Sequence, residues 1–413
     1  MNVLELTPDV DGALVWAGSG AMALTGRADG PPLPVSASVG ARVVALAGAL
    51  ARASERVGPR VDVDGPALLG ERAAFTGDGR NGSTSVGGTC RLLPTADGWV
   101  AVNLARPVDA ESLPAWLGVV VGDDPWPSIE NTVLRRSAAE LAERAGDLGL
   151  AVGALGERAA TDDADVAIVR RAGSLAARPA GGPLTVVDLS SLWAGPLAAN
   201  LLGLSGARVI KVESIARADG TRLGTPGFFD LLHGGHESVA LDFRTADGRQ
   251  ALRSLVERAD VVIEASRPRA LEQLGMAAEQ VLATSGVRVW LSITAHGRDA
   301  PAAGRVGFGD DAAVAGGLVA WDDGGPCFAG DAVADPATGL LGATVVLDRL
   351  AAGGRWLVDV ALSRTAAWLV GSSPVAAAID GPIAAPRARP VTAPAAPLGA
   401  HTGAVLAEFG IEK

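Results

Sequence analysis

Two aspartates four residues apart, Asp331 and Asp335, stand in the stretch FAGDAVADPATG, directly ahead of a long apolar segment. An aspartate there caps the helix or forms an Asx turn, and it is equally a carboxylate held where chemistry can reach it. A second acidic pair follows Gly309, in Gly-Asp-Asp over Gly309–Asp311. It reads as a loop or helix cap ahead of a cation site. Arg244, Arg267 and Arg269 each follow an apolar run. They either lie solvated or make charge-assisted hydrogen bonds to a phosphate. The only histidines are His233, His236, His296 and His401, and the only cysteines are Cys90 and Cys327. None makes a metal-spaced set or a CxxC pair, so no metal and no disulfide framework are expected. That usage fits a reducing cytoplasm. Glu213 ends an apolar run where dinucleotide folds bind ribose, but no GxGxxG precedes it, so NAD binding is not expected.

These groups need elements to position them. From Leu184 the chain alternates two patterns. LTVVDL over Leu184–Leu189 is a buried-strand run, a helical stretch opens at Pro196, and ARVIKVE follows as a second strand. The alternation continues with a helix over Asp247–Ala259, a strand over Asp260–Glu264, a helix over Leu271–Thr284 and a strand over Val287–Ile293. A helix over Thr338–Leu350 and a strand over Trp356–Leu362 complete it. Alternation of this kind predicts an α/β fold with a Rossmann-like parallel sheet. The first half is less regular. It offers a helix over Ser36–Ala53, a strand around Val61–Val63, a Gly-rich loop over Gly77–Gly88, a strand over Trp99–Leu104 after the Asp97-Gly98 turn, and a helix over Asn131–Leu148. Thr161–Gly182 reads as a linker and Ala384–Ala400 as an extended tail.

The expected organisation is therefore 1–75 as a partial repeat of a large-domain segment, 76–160 as a small α+β domain, and 161–182 as a linker. Residues 183–372 form the large domain, and 373–413 an extended tail with a C-terminal helix. The repeat rests on Gly30–Val63 against Gly325–Val360, each reading loop, apolar helix, Gly turn and a VDV strand. In that register Asp335 pairs with Ser36.

Composition narrows the class. The chain has 413 residues, 48% of them hydrophobic, enough for two domains with a sizeable core. A formal charge of −11 and a pI near 4.9 argue against nucleic-acid partners. No apolar stretch reaches about 18 residues, and Met1–Gly12 carries acids rather than a basic leader, so neither a membrane span nor a secretory signal is expected. The nine tryptophans read as core and interface packing rather than a ligand cage.

Several stretches together resemble the class III CoA-transferases, the family of formyl-CoA transferase and carnitine CoA-transferase, with α-methylacyl-CoA racemase as a relative. They are VVDLSSLWAGPLAANLLGLSGARVIKVE (Val186–Glu213), SVALDFRTADGRQALRSLVERADVVIEASRP (Ser238–Pro268), LEQLGM (Leu271–Met276) and ADPATG (Ala334–Gly339). Each motif is weak alone; their order and spacing are specific, over about Leu184–Gly371. GGTCRLLPTADGWVAV (Gly87–Val102) resembles the family's small-domain entry and LGAHTGAVLAEFG (Leu398–Gly410) its C-terminal helix. Those pieces normally follow the large domain, so the segment order here is rearranged.

The resemblance implies an EC 2.8.3-like enzyme that moves CoA from an acyl-CoA donor to a carboxylic acid, with CoA as substrate and no metal. It implies Asp335 as the nucleophile, passing through an aspartyl anhydride and an aspartyl-CoA thioester. Asp331 is the alternative if the register slips. For CoA it points to Trp193 and Ala194, to Leu241, Asp242, Phe243 and Arg244, to Ala265, Ser266 and Arg267, and to Gln273. Arg269 adds a further phosphate contact. It implies an interlocked homodimer or, given the altered order, pairing with a related subunit. The departures weaken the phosphate site. His236-Glu237, Ser214 and Gln273 replace positions that are often basic, and Phe308 stands where a racemase would carry histidine. A catalytically impaired acyl-CoA-binding or partner subunit and an acyl-CoA isomerase or racemase are the alternative readings.

Overall fold

A computed structural model of the chain describes residues 10–163, 166–175, 182–375, 379 and 381–411. The leader reading at residues 1–9, parts of the linker (164–165 and 176–181) and parts of the tail region (376–378, 380 and 412–413) lie outside the described residues.

Three strands, β1 (Cys90–Pro94), β2 (Trp99–Asn103) and β3 (Ala151–Ala154), form an antiparallel sheet. The Asp97-Gly98 turn joins the first two. The main sheet contains β4 (Ala167–Gly173), β5 (Thr185–Asp188), β6 (Arg208–Ser214), β7 (Glu237–Leu241), β8 (Val261–Glu264) and β9 (Val289–Thr294). A hairpin of β10 (Val319–Asp322) and β11 (Gly325–Phe328) comes next, and β12 (Arg355–Ala361) completes the main sheet. Its order is β4-β12-β9-β8-β5-β6-β7. All its neighbours run parallel except β4, which pairs antiparallel with β12.

The apolar runs at β5, β8 and β9 are buried on both faces, as parallel strands covered by helices must be. Successive side chains serve different cores. Val186 and Ile263 join one cluster with helices Ala194–Leu204, Ala334–Ala352 and Ala37–Glu55, and Val187 and Val262 join another with helices Ala246–Glu257, Ala278–Thr284 and Thr402–Glu408. The chain winds outward from β5 to β7, then returns to β8 and winds the other way. The switch point lies between β5 and β8, where open α/β sheets take their ligands. Because β12 is parallel to its neighbour, the helix that leads into it begins at the carboxyl edge of the sheet. Asp335 is thereby placed on that edge.

Several expectations change. The linker contains β4, a half-exposed edge strand whose short apolar run, Val166–Val169, ends at Arg170-Arg171 and reads as linker. The helix expected over Leu271–Thr284 is two, Pro268–Gln273 and Ala278–Thr284, parted at Gly275 with φ +75°. The Asn131–Leu148 helix is likewise two, Trp126–Val133 and Ala138–Leu148. Val61–Val63 finds no strand partner among the described residues. The helix expected from Thr338 starts at Ala334, because Pro336 fits a first turn and need not interrupt it. Ser36 is the N-cap of its helix whereas Asp335 lies two residues inside its own, so the helix starts pair Ser36 with Val333.

Candidate active site

Asp335 sits in the first turn of Ala334–Ala352, and the capping position is Val333. A turn through Ala332, at φ +48°, delivers it there. That conformation is unfavourable for alanine by ~1 kcal/mol and must be held from outside. Asp310 holds it: its Oδ1 accepts the Ala332 N–H at 3.1 Å. The Asp335 N–H in turn donates to the Ala332 carbonyl at 2.8 Å. The residue is half-buried, and its carboxylate lies inward against the backbone of Gly309. A Cβ at Gly309 would come within 2.3 Å of Asp335 Oδ2, so only glycine permits this approach.

Four acids share the neighbourhood. Burial pushes the Asp335 carboxyl up to about 7; Arg72 draws it down, and Asp310, Asp311 and Asp331 push it further up. Burial and then Asp331 raise Asp310 to about 6. Burial raises Asp311 to about 7 despite hydrogen bonds from Asn103 Nδ2 at 3.0 Å and the Phe308 N–H at 3.0 Å. The Gly-Asp-Asp run thus serves as the first turn of helix Gly309–Ala315, with Asp311 reaching back to its cap. Asp331 is buried and ion-paired to Arg72. Among the described residues nothing donates a hydrogen bond to the Asp335 carboxylate. Of the two aspartates read from the sequence, Asp331 is committed to a partner and Asp335 is left available.

Arg72 comes from the short helix Glu71–Thr76, far away in sequence, and it ties this cluster to the sheet. Its guanidinium pairs with Asp331 and lies over the Trp193 ring at 5.3 Å. Trp193 is buried, packs edge-on against Phe228 at 5.2 Å, and leaves its Nε1 unpartnered. Ala194 follows it at the start of helix Ala194–Leu204. The missing Cβ of Gly339 leaves room for the Ala194 carbonyl, which would lie 2.5 Å from it. Gly339 is about one helical turn beyond Asp335, so the loop after β5 leans on the Asp335 helix.

The remaining sequence candidates divide. Arg267, after β8, lies among Arg269, Arg106 and Arg217, and burial followed by these like charges lowers its pKa. Among the described residues Arg217, Arg267 and Arg269 make no ion pair. Arg106 is pinned by Asp109 at 2.5 Å and by the Gly149 carbonyl at 2.7 Å. Ser266 donates to Glu264 at 3.0 Å, and Ala265 is exposed beside it. Leu241 is buried at the end of β7, and Phe243 packs partly against the core. Arg244 is exposed and spent on its own loop, paired with Asp242 at 2.8 Å, which draws the Asp242 carboxyl down to about 2. Gln273 is exposed at the end of its short helix. The structure therefore gathers Trp193 and Ala194 with Asp335, gathers Arg267 with Arg269, and leaves Arg244 and Gln273 apart.

Glu213 is not open to a ribose. It is buried, pairs with Arg222 at 2.6 Å and accepts the Asp219 N–H at 2.9 Å. Burial drives His233 well below its usual range, His236 to about 4 and His296 to about 3, so these three are neutral near pH 7. Cys90 is buried and its thiol is pushed well up, the opposite of a reactive cysteine. Arg72, Arg106 and Arg217 escaped the sequence reading. Arg72 and Arg106 reach the edge of the sheet only through the tertiary fold, whereas Arg217 lies three residues past the end of β6.

The family model described as CoA-transferase family III matches residues 183–409. The chain is similar to a succinate–glutarate CoA-transferase of Agrobacterium fabrum, 32% identical over 41% of this chain and 46% of the relative. It is also similar to an acyl-CoA transferase of Fusarium pseudograminearum, 29% identical over 42% of each chain. The crystal structure of a CAIB/BAIF family protein from Brucella suis is 32% identical, covers 45% of this chain and 53% of its own, and has a TM-score of 0.41. The chain spans less than half the length of these two curated relatives.

Proposed function

Taking as premise that this chain belongs to CoA-transferase family III, as the match over residues 183–409 shows, we propose that it moves CoA between carboxylic acids through Asp335. The observation that carries the reading is the Asp335 carboxylate itself: half-buried, unbonded among the described residues, and raised to about 7 beside a cluster of acids. A raised pKa makes the ionised carboxylate a stronger nucleophile, at the cost of a smaller ionised fraction below pH 7.

In the proposed cycle the Asp335 carboxylate attacks the thioester carbonyl of the donor, and CoA leaves as the thiolate. The thiolate then attacks the aspartyl carbonyl of the mixed anhydride and expels the donor carboxylate, leaving an aspartyl-CoA thioester. The acceptor carboxylate attacks that thioester, forming a second anhydride and releasing the thiolate again. Attack of the thiolate on the acceptor carbonyl yields the new acyl-CoA and frees Asp335. No net proton is consumed. Each addition places negative charge near the start of the Ala334–Ala352 helix, whose positive end favours an oxyanion.

The group at Arg217, Arg267 and Arg269 supports phosphate binding at the carboxyl ends of β6 and β8, with Arg106 held alongside from the small antiparallel layer. Trp193 and Ala194 would carry the thioester end toward Asp335.

The test is transfer of CoA from a panel of acyl-CoA donors to carboxylate acceptors, with isotopic exchange between acyl-CoA and free acid. Exchange in the absence of the second substrate and its loss in Asp335→Ala, with CoA affinity retained, is expected. Undiminished exchange by Asp335→Ala would overturn the assignment.

A further inference from the structure

Among the described residues, two other than glycine take a left-handed backbone, Ala332 and Leu192. Ala332 leads into the Asp335 helix. Leu192, at φ +73°, leads into Trp193 and Ala194 after β5. That conformation costs a non-glycine residue ~1 kcal/mol, so a partner must hold it. Asp310 does so at Ala332. At Leu192 the partner is Asp219, whose Oδ1 accepts the Leu192 N–H at 3.2 Å. Leu192 is 40% exposed, so its own side chain buries little to fix the turn.

Asp219 lies on the loop after β6 and is 2% exposed. Its Oδ1 also accepts the Thr221 N–H at 3.0 Å and the Thr221 hydroxyl at 2.7 Å. Its Oδ2 stands 3.0 Å from Nζ of Lys211, a β6 residue only 1% exposed. The same ammonium donates to the Ser190 carbonyl at 3.0 Å. Ser190 in turn donates its N–H to Asp188 Oδ1 at 2.9 Å, and its hydroxyl to the same oxygen. One buried lysine therefore ties the loop after β5 twice, at Ser190 directly and at Leu192 through Asp219. Burial raises the Asp219 carboxyl, but Lys211 and Thr221 outweigh it and hold it below its usual value, so the acceptor is ionised near pH 7. A buried ion pair is seldom a source of net stability. What this one fixes is a turn, and the turn decides where Trp193 and Ala194 stand: the Trp193 ring under Arg72, the Ala194 carbonyl against Gly339.

We propose that Asp219, ion-paired to Lys211, is a positioning residue for CoA binding: it holds Leu192 left-handed and thereby fixes Trp193 and Ala194 against the Asp335 helix. This rests on the reading of Trp193 and Ala194 as contacts for the thioester end. A loop that leaves this conformation must be restored before CoA binds, so its loss is a tax on affinity and on KM rather than on kcat.

The test is a substitution series in the full chain, read as CoA affinity by calorimetry and as KM and kcat for CoA transfer. A left-handed turn favours glycine and asparagine at Leu192 and penalises valine, the reverse of the order an apolar contact would give. Leu192→Gly and Leu192→Asn are expected to bind CoA about fivefold more tightly than Leu192→Val, with the difference in KM and not in kcat. Asp219→Ala is expected to weaken CoA about tenfold, and adding Leu192→Gly to it to return most of that loss, which a general loosening of the fold would not allow. Lys211→Met combined with Asp219→Asn keeps an acceptor oxygen without the buried charges, and is expected to bind CoA more tightly than Asp219→Ala. If Asp219→Ala does not fold, the Leu192 series and this pair decide. Valine binding as tightly as glycine and asparagine, or no rescue of a folded Asp219→Ala by Leu192→Gly, would overturn the proposal. The expected order in CoA binding with no transfer by any chain would sink the transfer reading and leave the positioning role. Transfer by the wild type with a flat Leu192 series would sink the positioning role alone, and no CoA binding by the wild type would overturn both.

Discussion

Two charged clusters stand at the carboxyl edge of the sheet, and they are built in opposite ways. Asp310, Asp311 and Asp331 are buried around the half-buried Asp335, and among the described residues the only cation tied to them is Arg72. Arg106, Arg217, Arg267 and Arg269 gather at the surface, and three of them are without an ion pair among the described residues. The first cluster keeps like charges out of water and compensates by holding protons. The second keeps them solvated and available. Burial therefore decides how each should respond to damage: the acid cluster in large steps, the arginine cluster in small, salt-dependent ones.

The largest effect should come from Arg72→Met. It leaves Asp331 buried and uncompensated, which costs about 3 kcal/mol of stability. Denaturant unfolding should show the loss, and Arg72→Met combined with Asp331→Asn should recover most of it. If the single variant unfolds like the wild type, the acid cluster is not dry and the contrast collapses.

Next is pH. A carboxyl raised from 3.8 to about 7 contributes stability that is fully present below pH 3.8 and lost as pH rises through 7. Asp311→Asn should thus match the wild type near pH 4 and exceed it near pH 8, the difference opening as the pH rises toward and through 7. Melting profiles across that range check the sign. Transfer activity should show the complementary limb, rising through about pH 7 as Asp335 ionises.

The smaller effects sharpen the other side. Arg267→Ala should weaken CoA about fivefold, with a shallower salt dependence, as loss of one partly solvated phosphate contact would. Dephospho-CoA and CoA measured side by side would show which phosphate it meets. Arg244→Ala should change CoA affinity less than about twofold, because that side chain is exposed and bound to its own Asp242. A larger loss for Arg244 than for Arg267 would reverse the assignment of the phosphate site.

How far the sequence could be read follows the same physics. β5, β8 and β9 were legible because burial on both faces demands continuous apolar runs. β4 was not legible: as a half-exposed edge strand it has a short apolar run cut off by the adjacent Arg170 and Arg171, and it resembles a linker. Asp335, Trp193, Ala194 and Arg267 lie in local motifs, so their positions on the sheet edge could be anticipated. Arg72 could not, because its pairing with Asp331 spans 259 residues and neither neighbourhood signals the other. The pKa of Asp335 was equally hidden, since it depends on Gly309, Asp310 and Asp311 arriving from another loop.

The most direct measurement is hydroxylamine trapping during incubation with acyl-CoA, followed by peptide mass spectrometry of the wild type and of Asp335→Ala. An aspartyl anhydride or aspartyl-CoA thioester at Asp335 should leave a hydroxamate on that residue, dependent on acyl-CoA and absent from the variant. A hydroxamate on Asp331 or Asp310, or transfer proceeding with none on Asp335, would contradict the central claim.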